Sequence, residues 1–244
     1  METKGNTILI TGATSGIGLA FAEEFFKLGN KVIICGRRED KLKELSKKHP
    51  GMITKVCDVS LERDRKELFL WVKTQHPDVN ILMNNAGVQF ASNLMEEIDT
   101  KKLAQEIETN LTAPIHLSFL FSAFLSKQKD SAIMNISSGL AFVPIAFMPV
   151  YCATKAGIHS FTLSLRHQLR NTSIKVFEIA PPAVDTELGH DRRTDKTQSH
   201  GGIPIGEFLT EAMLAIKNDL LEAPIGQAKG LREKNEQLFG MLNK

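Results

Sequence analysis

The chain has 244 residues, 42% of them hydrophobic, and a formal net charge of +2 from 30 basic against 28 acidic residues. That length and apolar content suffice for a sizeable core, and no Lys/Arg block stands free of acidic residues, which excludes a charge-driven case for nucleic acid. Cys35, Cys57 and Cys152 form no paired motif, the histidines show no metal-ligand spacing, and no apolar stretch is long enough to span a bilayer; the expectation is a reduced cytoplasmic protein with no metal and no membrane partner. The start runs within a few residues into a strand-like Ile8-Leu9-Ile10, so no signal peptide is expected.

Taken in chain order, short Ile/Val-rich runs alternate with amphipathic stretches. Strands are predicted over 7–11, 31–35, 53–57, 81–84, 132–136 and 174–179, and helices over 16–28, 38–47, 63–75, 103–126, 150–170 and 205–221. Strands spaced by helices indicate a parallel sheet covered on both faces, and right-handed crossovers make it a doubly wound α/β fold of the Rossmann type. One domain over 1–244 is expected, with a mobile segment at about 187–206 rich in Asp, Arg, Thr, Ser and Gly. Residues 226–244 read as a closing amphipathic tail, with Leu231, Leu238, Phe239 and Leu242 near one face.

The first strand meets the first helix through Thr11-Gly12-Ala13-Thr14-Ser15-Gly16-Ile17-Gly18. Its glycines permit a tight turn and close backbone approach, so that a phosphate can meet the helix N-terminus. The second strand ends Cys35-Gly36-Arg37-Arg38 where many NAD sites carry an acid for the ribose hydroxyls. Arg37 there can pair with a 2′-phosphate and stack on adenine, so NADP(H) is expected over NAD(H). Solvated charge at a strand end is the plainer reading of Arg37 and Arg38.

Tyr151, the only tyrosine, sits four residues before Lys155, and Ser138 lies upstream of both. On a helix the i and i+4 side chains share a face, which holds a phenol beside an ammonium. A free phenol titrates near pH 10, and a fixed cation moves it towards the working range of a general acid or base. A helix start with a surface lysine is the plainer reading of this pair taken alone.

Over nearly its whole length the chain resembles the short-chain dehydrogenase/reductases. The resemblance rests on the Gly12/Gly16/Gly18 turn, Asp58-Val59 after the third strand, Asn84-Asn85-Ala86-Gly87 ending the fourth, Asn110 in a helix, Ser138 after the fifth strand, and the Tyr151/Lys155 pair. It implies an oxidoreductase with Asn110, Ser138, Tyr151 and Lys155 as catalytic residues. It also implies a cofactor site built from Gly12, Thr14, Ser15, Gly16, Ile17, Gly18, Arg37, Arg38, Asp58, Val59, Asn85, Ala86 and Gly87. Tyr151, Lys155, Pro181, Val184 and Thr186 complete that site. Tyr151 would exchange the proton, Ser138 would bond the same oxygen, Lys155 would hold the nicotinamide ribose, and Asn110 would position a water leading to solvent. A homodimer or homotetramer through the helices near 103–126 and 150–170 is implied as well.

In Ala180-Pro181-Pro182-Ala183-Val184-Asp185-Thr186 a second proline replaces the family's usual glycine, which predicts a different path for this loop. This Pro-Pro form, with Gly226-Gln227-Ala228-Lys229-Gly230-Leu231-Arg232, resembles a bacterial subgroup labelled as D-alanine–lipoteichoic acid oxidoreductases. The apolar run 140–150 joins Ser138 to Tyr151 and therefore borders the site, so the small-molecule carbonyl or alcohol substrate is expected to be rather apolar. The competing readings are a catalytically silent NADP(H) sensor of the same fold and a sugar-nucleotide epimerase. The first need not keep all four catalytic residues, and the second needs a longer C-terminal domain.

Overall fold

The protein is described by a computed structural model covering residues 1–189 and 201–244. Strands β1 (Thr7–Thr11), β2 (Lys31–Gly36), β3 (Ile53–Val56), β4 (Ile81–Asn84), β5 (Ala132–Ile136), β6 (Lys175–Ala180) and β7 (Glu222–Pro224) form one parallel sheet in the order 3-2-1-4-5-6-7. Strands β1 to β3 step outward in one direction and β4 to β7 in the other. The reversal opens a crevice beyond the carboxyl ends of β1 and β4, where ligands of such sheets bind.

Alternation within the strands feeds a core on each face. Ile8, Ile10, Val32 and Ile34 pack with Phe21 and Phe25 of α1 (Gly16–Lys27) and Phe208 of α7 (Ile205–Lys217). Leu9, Ile33 and Leu82 turn to the opposite layer, against Leu68 and Val72 of α3 (Glu62–Gln75) and Phe121 of α5 (Ala113–Leu125). Helix α2 (Glu39–Lys48) buries Leu42 and Leu45, and α6 (Pro149–Gln168) starts on a proline, whose missing N–H costs nothing in the first turn.

The helix predicted over 103–126 is three pieces: α4 (Thr100–Ile107), one wide turn at Glu108–Thr112, and α5. Pro114 has no N–H to donate to the Asn110 carbonyl four residues back, and the Ala113 N–H reaches instead to the Glu108 carbonyl, five back. Helix α7 stops at Lys217 rather than at 221, making room for β7, which the sequence reading did not find. Beyond it lie α8 (Ala228–Lys234) and the single turn α9 (Phe239–Leu242). Most of the expected mobile segment falls on 190–200, outside the described residues.

Candidate active site

The turn between β1 and α1 is pinned from below by the end of β4. Asn85 donates its amide to the carbonyls of Thr11 (2.9 Å) and Gly12 (3.1 Å), while Thr11 Oγ1 accepts the N–H groups of Asn85 and Ala86. A Cβ on Gly12 (φ +66°) would stand 2.5 Å from Ala86 Cα, and one on Gly18 would collide with the Asn85 amide. Only glycine fits either place. No acidic residue lies in the first turn of α1, and the Ser15 side chain leaves its first N–H groups uncapped. A cradle of open N–H groups that only glycine can line suits a dinucleotide pyrophosphate.

Arg38 lies across the glycine turn. Its Nε and Nη2 donate to Thr14 Oγ1 (3.1 and 2.8 Å), Nη2 donates to Ser15 Oγ (2.6 Å), and Nη1 meets Glu187 Oε2 (2.9 Å). Arg37 is exposed beside it. Asp58 accepts the Ser60 N–H and hydroxyl on Oδ1. The Val59 carbonyl accepts from Arg65 Nη1 (2.6 Å), and the same buried guanidinium donates through Nε to His116 Nδ1. Burial and that neighbouring cation hold the His116 pKa below the usual imidazole value.

Asn110 sits in the wide turn because Pro114 breaks the helix there. Its side chain clamps Val88, accepting the N–H (2.9 Å) and donating to the carbonyl (2.8 Å), and reaches Thr154 Oγ1 at 3.3 Å. Thr154 donates to the Tyr151 carbonyl, which joins Asn110 to the first turn of α6. Lys155, 5% exposed, donates to the Ile136 carbonyl at 2.9 Å and places Nζ 5.7 Å from the centroid of the Tyr151 ring. Gly87 lies between the two: a Cβ there would be 3.5 Å from Asn110 Oδ1 and 3.9 Å from Lys155 Nζ. Ser138 Oγ accepts the Leu140 N–H, and Leu140 packs on Tyr151, Met148 and Cys152. The structure thus brings together the phenol, the ammonium and the amide predicted from sequence, with the Ser138 turn against the same apolar cluster.

Burial brings the Lys155 pKa down to about 8, opposed by the negative charge of Glu178. Strand register places Asn84, Asn135, Glu178 and Glu222 in one row across β4 to β7. Glu178 is fully buried; His159, one turn after Lys155, puts Nδ1 2.8 Å from it, and this carboxylate raises the imidazole pKa. Ligand atoms of His159, Glu178 and Glu222 lie within 4.8 Å of one another. The guanidinium of Arg232 on α8 already bonds Glu222 at 2.5 Å, so the chain meets this charge from within. Sequence reasoning missed the network. Its one signal was the charged Glu178 inside an otherwise apolar strand.

The loop after β6 is tied to the Ser138 turn, the Gly139 N–H donating to the Pro181 carbonyl (2.8 Å). Val184 bridges Ile203, and Thr186 lies over the glycine turn, 3.5 Å from where a Gly16 Cβ would be. Burial raises the Cys152 thiol pKa, so its position beside Tyr151 supplies no thiolate nucleophile. Within the loop 140–150, Phe147 is exposed, and Leu94 and Met95 stand out on the segment whose Ser92 N–H bonds the Phe147 carbonyl. Asn243 closes the other side, accepting the Ala146 N–H and donating to the Pro144 carbonyl.

The family described as short chain dehydrogenase matches residues 6–197. The chain belongs to the short-chain dehydrogenases. Among relatives of this family, an uncharacterized oxidoreductase, DltE, from Bacillus subtilis (strain 168) is 43% identical over 100% of this chain and 98% of its own. A short-chain dehydrogenase from Sphingobium yanoikuyae, solved in complex with NADPH, superposes with a TM-score of 0.79 at 25% identity, covering 89% of this chain and 87% of that one. A short-chain dehydrogenase/reductase from Burkholderia phymatum, solved with NAD, shares the fold (TM-score 0.84, 22% identity, 100% and 97% covered). This short-chain dehydrogenase is therefore an oxidoreductase. Among its described residues no helix is long and apolar enough to cross a membrane.

Proposed function

We propose that the protein transfers hydride between NADP(H) and the carbonyl or secondary alcohol of a rather apolar small molecule. The observation that carries the chemistry is the buried Lys155 ammonium, fixed on the Ile136 carbonyl and set between the lone phenol and Asn110. Bound in the cradle, the nicotinamide supplies or accepts the hydride; everything else falls to side chains. Tyr151 gives a proton to the forming alkoxide in reduction and removes one in oxidation. Lys155 favours the phenolate by its charge, and the Ser138 hydroxyl bonds the same oxygen as its charge develops. Asn110, its amide held on Val88 and Thr154, orders the proton path behind Lys155.

NADP(H) is favoured over NAD(H) because the chain leaves β2 through two guanidiniums, Arg37 and Arg38, with Arg38 bonded across the glycine turn, instead of through an acid suited to ribose hydroxyls. The apolar substrate class is supported by the run 140–150, which joins the Ser138 turn to Tyr151 and exposes Phe147. Replacing Tyr151 with Phe keeps the ring and removes the acid. Turnover of a ketone and aldehyde panel should fall by about 10²-fold or more, with NADPH affinity, read by nicotinamide fluorescence, nearly intact. Undiminished turnover would reject the role, and NADPH binding without turnover in the parent chain would favour a sensor.

A further inference from the structure

Arg38 does not wait free for a phosphate. Three of its four contacts are to hydroxyls of the glycine turn, and the fourth, through Nη1, is to the Glu187 carboxylate at 2.9 Å. Glu187 follows Thr186, whose side chain lies against Gly16, so the segment leaving β6 crosses directly over the pyrophosphate turn. Both partners of the ion pair are close to half exposed, which leaves the pair open to exchange. Thr14 and Ser15 hold the guanidinium in place whether or not Glu187 stays. An anion arriving from solvent therefore meets an oriented fork with one arm already taken.

We infer that Glu187 is a specificity-tuning residue whose carboxylate occupies Arg38 in place of the 2′-phosphate of NADP(H) and must yield when that phosphate binds. The inference rests on the proposed phosphate-reading role of Arg38. A phosphate monoester carries close to two negative charges at neutral pH and three acceptor oxygens, against one charge for the carboxylate, so it wins the exchange. Glu187 nevertheless weakens NADP(H) by competing for Arg38. NAD(H), with a hydroxyl at that position, makes no such demand. Linkage makes the effect reciprocal: the factor by which Glu187 weakens NADP(H) is the factor by which NADP(H) loosens Glu187, and with it the 186–188 backbone, from the cofactor turn.

The test is calorimetric titration of the full chain with NADPH and with NADH at low ionic strength, for the parent, Glu187→Gln, Arg38→Ala and the double variant. The expected result is an NADPH Kd lowered about two- to five-fold in Glu187→Gln, an unchanged NADH Kd, and no effect of Glu187→Gln once Arg38 is Ala. An unchanged NADPH Kd in Glu187→Gln, with Arg38→Ala still selectively weakening NADPH, would overturn the inference and leave the cofactor preference standing. Equal weakening of NADPH and NADH by Arg38→Ala would overturn the cofactor preference and the inference together.

Discussion

Lys155 is an ammonium kept where folding alone would not put one. Its pKa is about 8 in the native chain against an ordinary 10.5, so between those values the unfolded state binds the extra proton and stability rises with pH. Below pH 8 the whole cost of burying the cation is present. Lys155→Met should therefore stabilise the ligand-free chain at pH 7 by about 1–3 kcal/mol, after allowing for the Ile136 carbonyl it leaves unbonded. The gain should fade above pH 10, and urea unfolding at the two pH values measures it. A variant less stable at pH 7 would mean that burial of the charge is not the governing cost. Glu178 works in the opposite sense, favouring the charged form, so Glu178→Gln should move the Lys155 midpoint further down. The ε-carbon shift of [13C]lysine-labelled protein reads that midpoint directly, and an unmoved value would remove Glu178 from the account.

Elements differ in how far the chain announced them. Strands β1, β4 and β5 were legible to the residue, because apolar runs bounded by Gly, Asn and Ser leave little freedom in where pairing starts and stops. Strand β7 was hidden: Glu222-Ala223-Pro224 is three residues long, carries a proline, and acquires its extended form from pairing with β6. The wide turn that holds Asn110 had one local signal, Pro114, inside a helical pattern. Arg38 rather than Arg37 spanning the glycine turn was not readable, since it depends on the direction in which the chain leaves β2. The network from Glu178 to Arg232 was equally out of reach, because register across β5, β6 and β7 creates it. Helix α8 shows how such a distant element supports the site. A Cβ on Gly139, next to Ser138, would stand 2.9 Å from Leu231 Cδ1 and 3.0 Å from Ala228 Cβ. Gly139→Val should push α8 away at a cost of about 1–3 kcal/mol and speed tryptic cleavage after Lys229, Arg232 and Lys234. Unchanged proteolysis would show that α8 is held by other contacts, the Arg232–Glu222 pair foremost.

At the scale of the whole molecule, the outer faces of α5 and α6 remain apolar in the isolated chain. Phe119 is 70% exposed and lies 6.5 Å, ring to ring, from Phe161, with Leu163 exposed on the same helix as Phe161. A face of this kind suits a symmetric copy of itself, in line with the homo-oligomer that the family resemblance implies. Phe119→Asp should lower the sedimenting mass towards that of a single chain. A parent protein that already sediments as one chain would dispose of the idea.

Because Tyr151 is the only tyrosine among 244 residues, the molecule carries a built-in optical reporter at its centre. Phenolate absorbs further to the red than phenol, and here every photon of that change originates from one ring. An alkaline spectrophotometric titration of the native chain, with no label and before any substrate is known, would therefore read the protonation of the proposed acid itself. Repeated with cofactor present, the same curve would register how strongly the dinucleotide and that single ring influence one another.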